Sequence, residues 1–496
     1  MADPQRMVEE PGRQIPLFAD CDVLVAGAGV SGCAAAVSAA RAGARVLLLE
    51  RNGILGGVAT ASLMGNIFNG FVLRSGEVAL RAFAGELTDR LIACGGASPH
   101  AKHPEVPGFT FDCEAMKRVL IELCEEAGVR TLTHTVAARP LLRDARVAGC
   151  FFEGKSGRQA VLAANTVDCT GEADLIHQAG GEIMETFNGS ATTLFEMSPV
   201  DVDAFIRFIE AEGDRFPKGM DWVRDGGQIV ANWRERGVLF MPHGGGRRWE
   251  FVQQFVRSGE FHTSEGEAFD LDALGMYSFR GLHGPEGAQG VYVNSNFRRP
   301  GLDAAGLAAY ELQAQRLCWK VGEFLRRRMP GFDRARVVNV GSAVGYRASR
   351  KIRGRAKMLK AWLAAPEPVR HPEAIGRLLA ALPVPHTEAW KVREFRSNHT
   401  TDIPFGVMVP LGVQGILCGS GKSVCQEEFV LRSMPKCMVI GQAAGVAAAV
   451  AAQKGVAVGE VDIRAVQRAL VKQGVELDGG DGKVCESAQG SHDARA

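Results

Sequence analysis

A short apolar run, Asp22-Val-Leu-Val-Ala26, leads directly into Gly27-Ala-Gly29-Val-Ser-Gly32 and then into Cys33 to Ala42, where alanine dominates. An apolar run of that length followed by clustered glycine reads as a strand, and the alanine-rich stretch as a helix. The junction must then be a tight turn, and each glycine has its own reason to be there. Gly27 permits the sharp reversal, Gly29 lets the backbone approach a pyrophosphate, and Gly32 lets helix and strand pack closely. Val30 and Ser31 stand at the helix mouth, where free N–H groups and the positive helix end favour phosphate.

After Gly43 the chain resumes with Arg45-Val-Leu-Leu-Leu-Glu50, a second strand ending in an acid. A carboxylate at that distance accepts both ribose hydroxyl protons and repels a 2′-phosphate, which favours FAD or NAD over NADP. Directly after it, Arg51-Asn-Gly-Ile-Leu-Gly56-Gly57-Val-Ala-Thr60 supplies a second glycine pair.

From Gly27 to Thr60 the chain resembles the opening of the FAD-dependent oxidoreductases, roughly GGGxAGxAAAxAAARxGAxVLLxExxxxLGGxAT. In that family the second loop runs along the pyrophosphate toward the isoalloxazine, so the resemblance implies cofactor contacts at Arg51, Gly56, Gly57 and Thr60. Phe111-Asp-Cys-Glu-Ala-Met-Lys117 through Leu120, then Gly128-Val129, is similar to the unit preceding the adenine contact. His134-Thr-Val136 would occupy that contact. Val161 to Gly171, continuing to Asp174, resembles the family's IDATGDADL: an apolar strand whose Thr170-Gly171 turn lets the chain pass close to a cofactor. Val344-Gly-Tyr-Arg347-Ala-Ser-Arg350 through Gly354 is similar to GVRESRRIVG, and Ile403-Pro404, Pro410 to Val413 and Ile416 to Gly419 resemble the returning strands. Leu431-Arg-Ser433-Met434-Pro435-Lys-Cys437 through Gly445 follows the closing RxMPxCMALGQAAG. The matches keep their order from about Ala19 to Ala452. They imply a Rossmann-type α/β domain of the glutathione-reductase-like FAD/NAD(P)-binding build, with FAD as the cofactor.

Pro435 suits the first turn of a helix, where its missing N–H costs nothing. A helix from there to about Gln453 directs its positive end at whatever precedes Met434. In flavoproteins of this build that is the pyrimidine edge, N1 and C2=O, where negative charge develops on reduction, and Arg432 is placed to assist.

The FAD elements occur early, midway and late, so the cofactor domain is discontinuous. The expected division is a flexible lead at 1–19, FAD-binding segments at 20–186 and 400–475, an inserted α+β substrate domain at 187–399, and a disordered tail at 476–496. The insert includes a helix from about Ala304 to Arg328 and the run Pro242-His-Gly-Gly-Gly246, which lacks fingerprint spacing.

Lysine plus arginine (57) nearly balances aspartate plus glutamate (56), so no summed field draws the chain to nucleic acid or an anionic membrane. Twelve cysteines occur without a CxxC pair or zinc-type spacing, which reads as reduced cytoplasmic thiols and no metal. The run Cys437 to Ala452 is short and alanine-rich for a membrane span and reads as a buried helix. Oligomeric state is not fixed by these patterns.

No Cys-x4-Cys follows the Gly56-Gly57 loop and no second dinucleotide fingerprint occurs, which argues against a disulfide reductase and a separate NAD(P)H site. Oxidation of a small-molecule substrate by hydride transfer to flavin N5 needs no further site. Flavin-dependent hydroxylation or epoxidation and an electron-relay subunit are the alternatives. Arg347 and Arg350 are candidate forks for a substrate carboxylate or flavin oxygen, and His399 a candidate general base. His100 and His103 flank the start of a proline-containing loop and are candidates for a role in substrate access. Three positions depart from the family pattern on the substrate side: Gln426, beside Glu427 and Glu428, stands where a histidine is usual, Gly406 where an arginine is usual, and Glu196 where a base is expected.

Overall fold

The structure is a computed structural model describing residues 8–9, 11–68, 76–106, 108–184, 191–218, 223, 225–242, 248–260, 274–284, 288–295, 303–347, 349–365, 367–379, 399–427 and 430–477. Glu428, residues 243–247 and the expected tail beyond Leu477 lie outside them.

The amino-terminal region builds strand β1 (Leu17–Ala26), helix α1 (Val30–Arg41), β2 (Val46–Leu49), α2 (Cys113–Glu126), β3 (Arg130–Leu132), β4 (Val136–Arg143), β5 (Arg146–Gly154), β6 (Gly157–Asp168) and the short α3 (Asp174–Gln178). One sheet holds these strands in the order β3-β2-β1-β6-β5-β4. The pairs β3-β2, β2-β1 and β1-β6 are parallel, and β6-β5-β4 is an antiparallel meander. Parallel strands covered on both faces must be apolar throughout, and Val23 to Ala26 and Val46 to Leu49 are buried without a break. β1 begins at Leu17, because it continues along β6 as far as Ala160; the lead expected at 1–19 therefore ends earlier.

The insert forms β7 (Phe195–Asp201), β8 (Val238–Met241), β9 (Gly275–Phe279), β10 (Ala288–Asn294), α4 (Ala304–Arg328) and β11 (Arg336–Val340). Its antiparallel sheet runs β8-β9-β10-β7-β11. Helix α4 has the limits the sequence suggests: Asp303 caps its first turn by accepting from the Gly306 N–H at 2.8 Å, and Arg326 to Arg328 complement the dipole at its end.

The chain then returns through β12 (Ala374–Leu379), β13 (Thr400–Pro404), β14 (Ile416–Cys418), α5 (Met434–Lys454) and α6 (Ile463–Lys472). β14 joins the first sheet beside β6. β12 pairs with β13 and packs on α5 and α6, so the boundary expected at 399 divides one small sheet, whose first strand belongs with the cofactor half. α5 lies along α1, and the contact is close because α5 offers glycine. A Cβ on Gly441 or Gly445 would overlap the backbone carbonyl of Ser31 or Ala35. By length and composition α5 could cross a membrane, yet 83% of its most apolar window is buried within the protein, as a core helix requires.

Candidate active site

The turns after β1, β2 and β6 meet at one edge of the large sheet. Gly27 N–H donates to Leu49 O at 2.8 Å and Cys169 N–H to Ala26 O at 2.8 Å, which stitches the three strand ends together. Gly27 has φ +96°, and a Cβ there would stand 2.5 Å from Cys169 O. A Cβ on Gly32 would overlap Gly27 O, so that glycine sets the helix against the turn. Gly29 differs: its backbone is extended (φ −63°, ψ 176°), and a Cβ on it would meet nothing within 4 Å. Open space lies in front of Gly29, at the mouth of a 12-residue helix that has no side-chain cap and no acid in its first turn. Val30, Ser31 and Gly32 are buried in that turn.

The second glycine loop touches the first. Gly56 N–H donates to Ala28 O at 2.8 Å, and a Cβ on Gly57 would lie 2.9 Å from Gly29 Cα. Thr60, expected among the cofactor contacts, is buried, and its hydroxyl donates to Leu55 O at 2.5 Å and closes the loop. Glu50 is buried at the end of β2, with one oxygen accepting from Ala28 N–H (2.8 Å) and the other from Asn52 N–H (2.8 Å). Thr135 N–H donates to Glu50 O at 2.9 Å, which brings half-exposed Val136 beside this acid. Arg51 is exposed next to it.

Asp168, wholly buried at the end of β6, organises the third turn. It accepts from Thr170 N–H (3.1 Å), Thr170 Oγ1 (2.7 Å) and Ile176 N–H (3.0 Å). Burial, then the neighbouring Asp174, push its carboxyl up to about 6. Gly171 O accepts from Ser423 Oγ at 2.7 Å, and Gly419 N–H donates to Asp168 O at 2.9 Å. Asp174 pairs with Arg350 at 2.6 Å, so this arginine, expected as a substrate fork, ties α3 to the returning chain. Lys422 pairs with Glu172 and also donates to Tyr346 O at 3.3 Å.

At the start of α5, Ser433 is the N-cap residue without a side-chain cap, and Met434 and Pro435 open the first turn. Arg432, immediately before them, keeps an exposed side chain, while burial still pushes its pKa down. Solvent reaches this side chain although protein crowds around it. Burial and the charge of Arg432 push Arg347 down to about 9 and Lys436 to about 8. Arg347 also interacts electrostatically with the buried Tyr277 of β9 and Tyr310 of α4, which places it near the insert.

The other candidates hold structure together or stand exposed. His399 Nε2 stands 3.2 Å from Ala365 O, at the entry to β13. His103 Nδ1 accepts from Glu105 N–H and Arg236 Nε, each at 3.1 Å, and His100 is exposed. Gln426 is buried and braces the loop before α5, donating to Gly421 O and accepting from Leu431 N–H, each at 2.7 Å. Glu427 accepts from Lys360 N–H at 2.9 Å. Gly406 has no room for a side chain, since a Cβ would lie 2.9 Å from Ala356 N.

The departure at Glu196 has a local explanation that sequence reasoning missed. Its buried carboxylate meets His283 Nδ1 at 2.5 Å, and His283 Nε2 meets Asp112, the cap of α2, at 2.9 Å. Asp112 and Glu196 push His283 up to about 10, so it is a cation bridging the insert to the cofactor half. Nothing local marks it: the partners are 87 and 171 residues away in sequence.

A dinucleotide fits this edge: the uncapped helix mouth and the open face of Gly29 admit a pyrophosphate, and Glu50 stands at the ribose end. The family model for FAD dependent oxidoreductases matches residues 22–470. The chain belongs to that family. This FAD-dependent oxidoreductase is 30% identical over 249 residues to digeranylgeranylglycerophospholipid reductase 2 of Methanothermobacter thermautotrophicus, covering 46% of this chain and 64% of the relative. It is 32% identical over 217 residues to the enzyme of that name from Methanopyrus kandleri, covering 42% and 53%. The chain thus spans between half and two thirds of these relatives. Among solved structures, a geranylgeranyl bacteriochlorophyll reductase-like protein from Thermoplasma acidophilum matches with a TM-score of 0.44 and 13% identity, over 92% of this chain and 84% of the other. The p-nitrophenol 4-monooxygenase of Pseudomonas putida matches with a TM-score of 0.43 and 10% identity, over 91% and 84%.

Proposed function

We propose that this flavoprotein oxidises a small organic metabolite. FAD supplies the hydride acceptor, N5 of its isoalloxazine. The chain's own residues do the rest. The N–H groups from Gly29 to Gly32 hold the pyrophosphate and Glu50 the ribose. Arg432, Lys436 and the amino end of α5 supply positive potential at the pyrimidine edge. The ion pairs Arg350–Asp174 and Lys422–Glu172 fix the turns around it. The observation carrying this reading is an accessible arginine immediately before the uncapped start of a 21-residue helix.

The test begins with the visible spectrum of the purified protein before and after denaturation, which reports flavin and its attachment together. Anaerobic bleaching of that band by a metabolite supports the proposal. Incorporation of oxygen into product, in air, would replace it with monooxygenation. The relatives named as reductases favour a second reading, the reverse direction, in which a reduced flavin delivers hydride to an alkene. Anaerobic reoxidation of the dithionite-reduced protein by an isoprenoid alkene would establish it.

A further inference from the structure

Helix α4 is apolar on two opposite faces, and the fold uses one of them. Tyr310, Ala314, Leu317, Val321 and Leu325 are buried. This inner face grips the structure closely: Glu311 accepts from Val344 N–H at 2.7 Å, and a Cβ on Gly322 would lie 2.3 Å from Val337 Cγ2 of β11. On the outside, Leu312 and Trp319 are 60% and 53% exposed. At 3.6 residues per turn, positions seven apart fall close to one line along a helix, so both stand opposite the buried stripe. Ala305, also exposed, continues the line seven residues earlier. Among the described residues the Trp319 indole has no hydrogen bond or ring contact. From Ala304 to Gln315 the only charged residue is Glu311, which Val344 engages on the inner side. Exposed positive charge begins with Arg316 and Lys320, which have no ion-pair partner among the described residues.

The order of sizes along this line decides what covers it. Ala305, Leu312 and Trp319 run small, medium, large at equal steps. A second α4 laid antiparallel, about a two-fold axis at Leu312, therefore sets each Trp319 on the other copy's Ala305 and Leu312 on its own mate. We infer that the outer face of α4 is a two-fold self-association surface, covered by the α4 of a second copy of this chain. Such a contact uses the same patch twice and must be self-complementary, with tryptophan as its anchor. Charge agrees with the pairing. At 1.5 Å per residue the two Arg316 side chains start about 12 Å apart along the axis and the two Lys320 about 24 Å, beyond the Debye length of about 8 Å at physiological salt. The basic half of each helix lies over the uncharged half of the other. An anionic lipid surface fits less well, since it rewards basic side chains along the whole strip, and here they occupy only its second half.

Sedimentation of the purified protein tests this, over concentrations from about 1 to 100 μM, the range suited to an interface of modest size. The unmodified chain is expected to pass from monomer to dimer. Trp319→Glu is expected to raise the dimer dissociation constant at least about 30-fold, as loss of an interface anchor does, with the far-ultraviolet circular dichroism unchanged. Leu312→Cys places a thiol on the axis and should cross-link to its mate on mild oxidation. Lys320→Cys, whose mate lies about 24 Å away along the pair, should not exceed the background of the unmodified protein. A protein that stays monomeric throughout the range, or a dimer that Trp319→Glu leaves intact, overturns the inference, and the first of these is read without any variant. Cross-linking at Lys320→Cys but not at Leu312→Cys overturns the two-fold register. Binding of the monomer to phosphatidylserine vesicles, lost in Trp319→Glu, overturns the second copy in favour of a lipid surface.

Discussion

Replacing Gly29 by alanine separates the cofactor's demand from the protein's own. Gly29 has φ −63° and ψ 176°, a conformation alanine adopts without strain, and the added Cβ would touch no protein atom within 4 Å. Alanine is a poorer N-cap than glycine by up to about 1 kcal/mol, and the stiffer unfolded chain returns about 0.4–1 kcal/mol, so folding should be nearly unchanged. The methyl instead occupies the space a pyrophosphate needs. Loss of one backbone N–H to a charged phosphate oxygen costs about 1.5–3 kcal/mol, which raises the FAD dissociation constant about 10- to 150-fold. Flavin content after purification and fluorescence titration of the apoprotein measure this, alongside its thermal midpoint. Gly32→Ala is the contrast: its Cβ overlaps Gly27 O, so folding and flavin should suffer together. Wild-type FAD affinity in Gly29→Ala, or loss of flavin only in step with a collapsed midpoint, would refute the reasoning.

Three further outcomes follow from packing and charge. Gly445→Val should cost about 1–3 kcal/mol in urea unfolding, because its side chain drives into the backbone of Ala35. Lys422→Met leaves Glu172 buried without its cation and should lower stability by about 3–5 kcal/mol, with Glu172→Gln in the same chain restoring part of it. His283 is held at about 10 in the folded state, above its ordinary value of 6.5. Its contribution is therefore complete below pH about 6.5 and is lost as pH rises through about 10. The urea midpoint of the unmodified protein should fall across that window, and His283→Gln should flatten the fall.

Local chemistry made half of this molecule readable. The turn after β1 announces itself through glycines whose roles are steric, and α5 through Pro435 and a run of small residues, so both stand where the sequence placed them. Helix α4 was legible for the same reason, a cap at one end and arginines at the other. The site's electrostatics were less so, because they depend on which distant segments meet. Arg350 looked like Arg347 in sequence, yet Asp174 takes it into an ion pair. Thr60 lies in the right loop, but its hydroxyl finds a nearer acceptor. His283 carries no motif and acquires its charge only when β7 and the cap of α2 are brought together.

The close seat of α5 on α1 has a bearing on how the protein is made. Gln453 Nε2 donates to Ala42 O across 411 residues of chain, so the first helix receives its partner only after that length has been made. At about 5–20 residues per second, the ribosome takes about 20–80 s to cover that distance. Throughout that interval the apolar first strands lack their cover, and the positive end of α5 does not yet exist. Stable cofactor loading therefore waits for α5, and a nascent chain stalled before Met434 is a client for chaperones rather than a half-built flavoprotein.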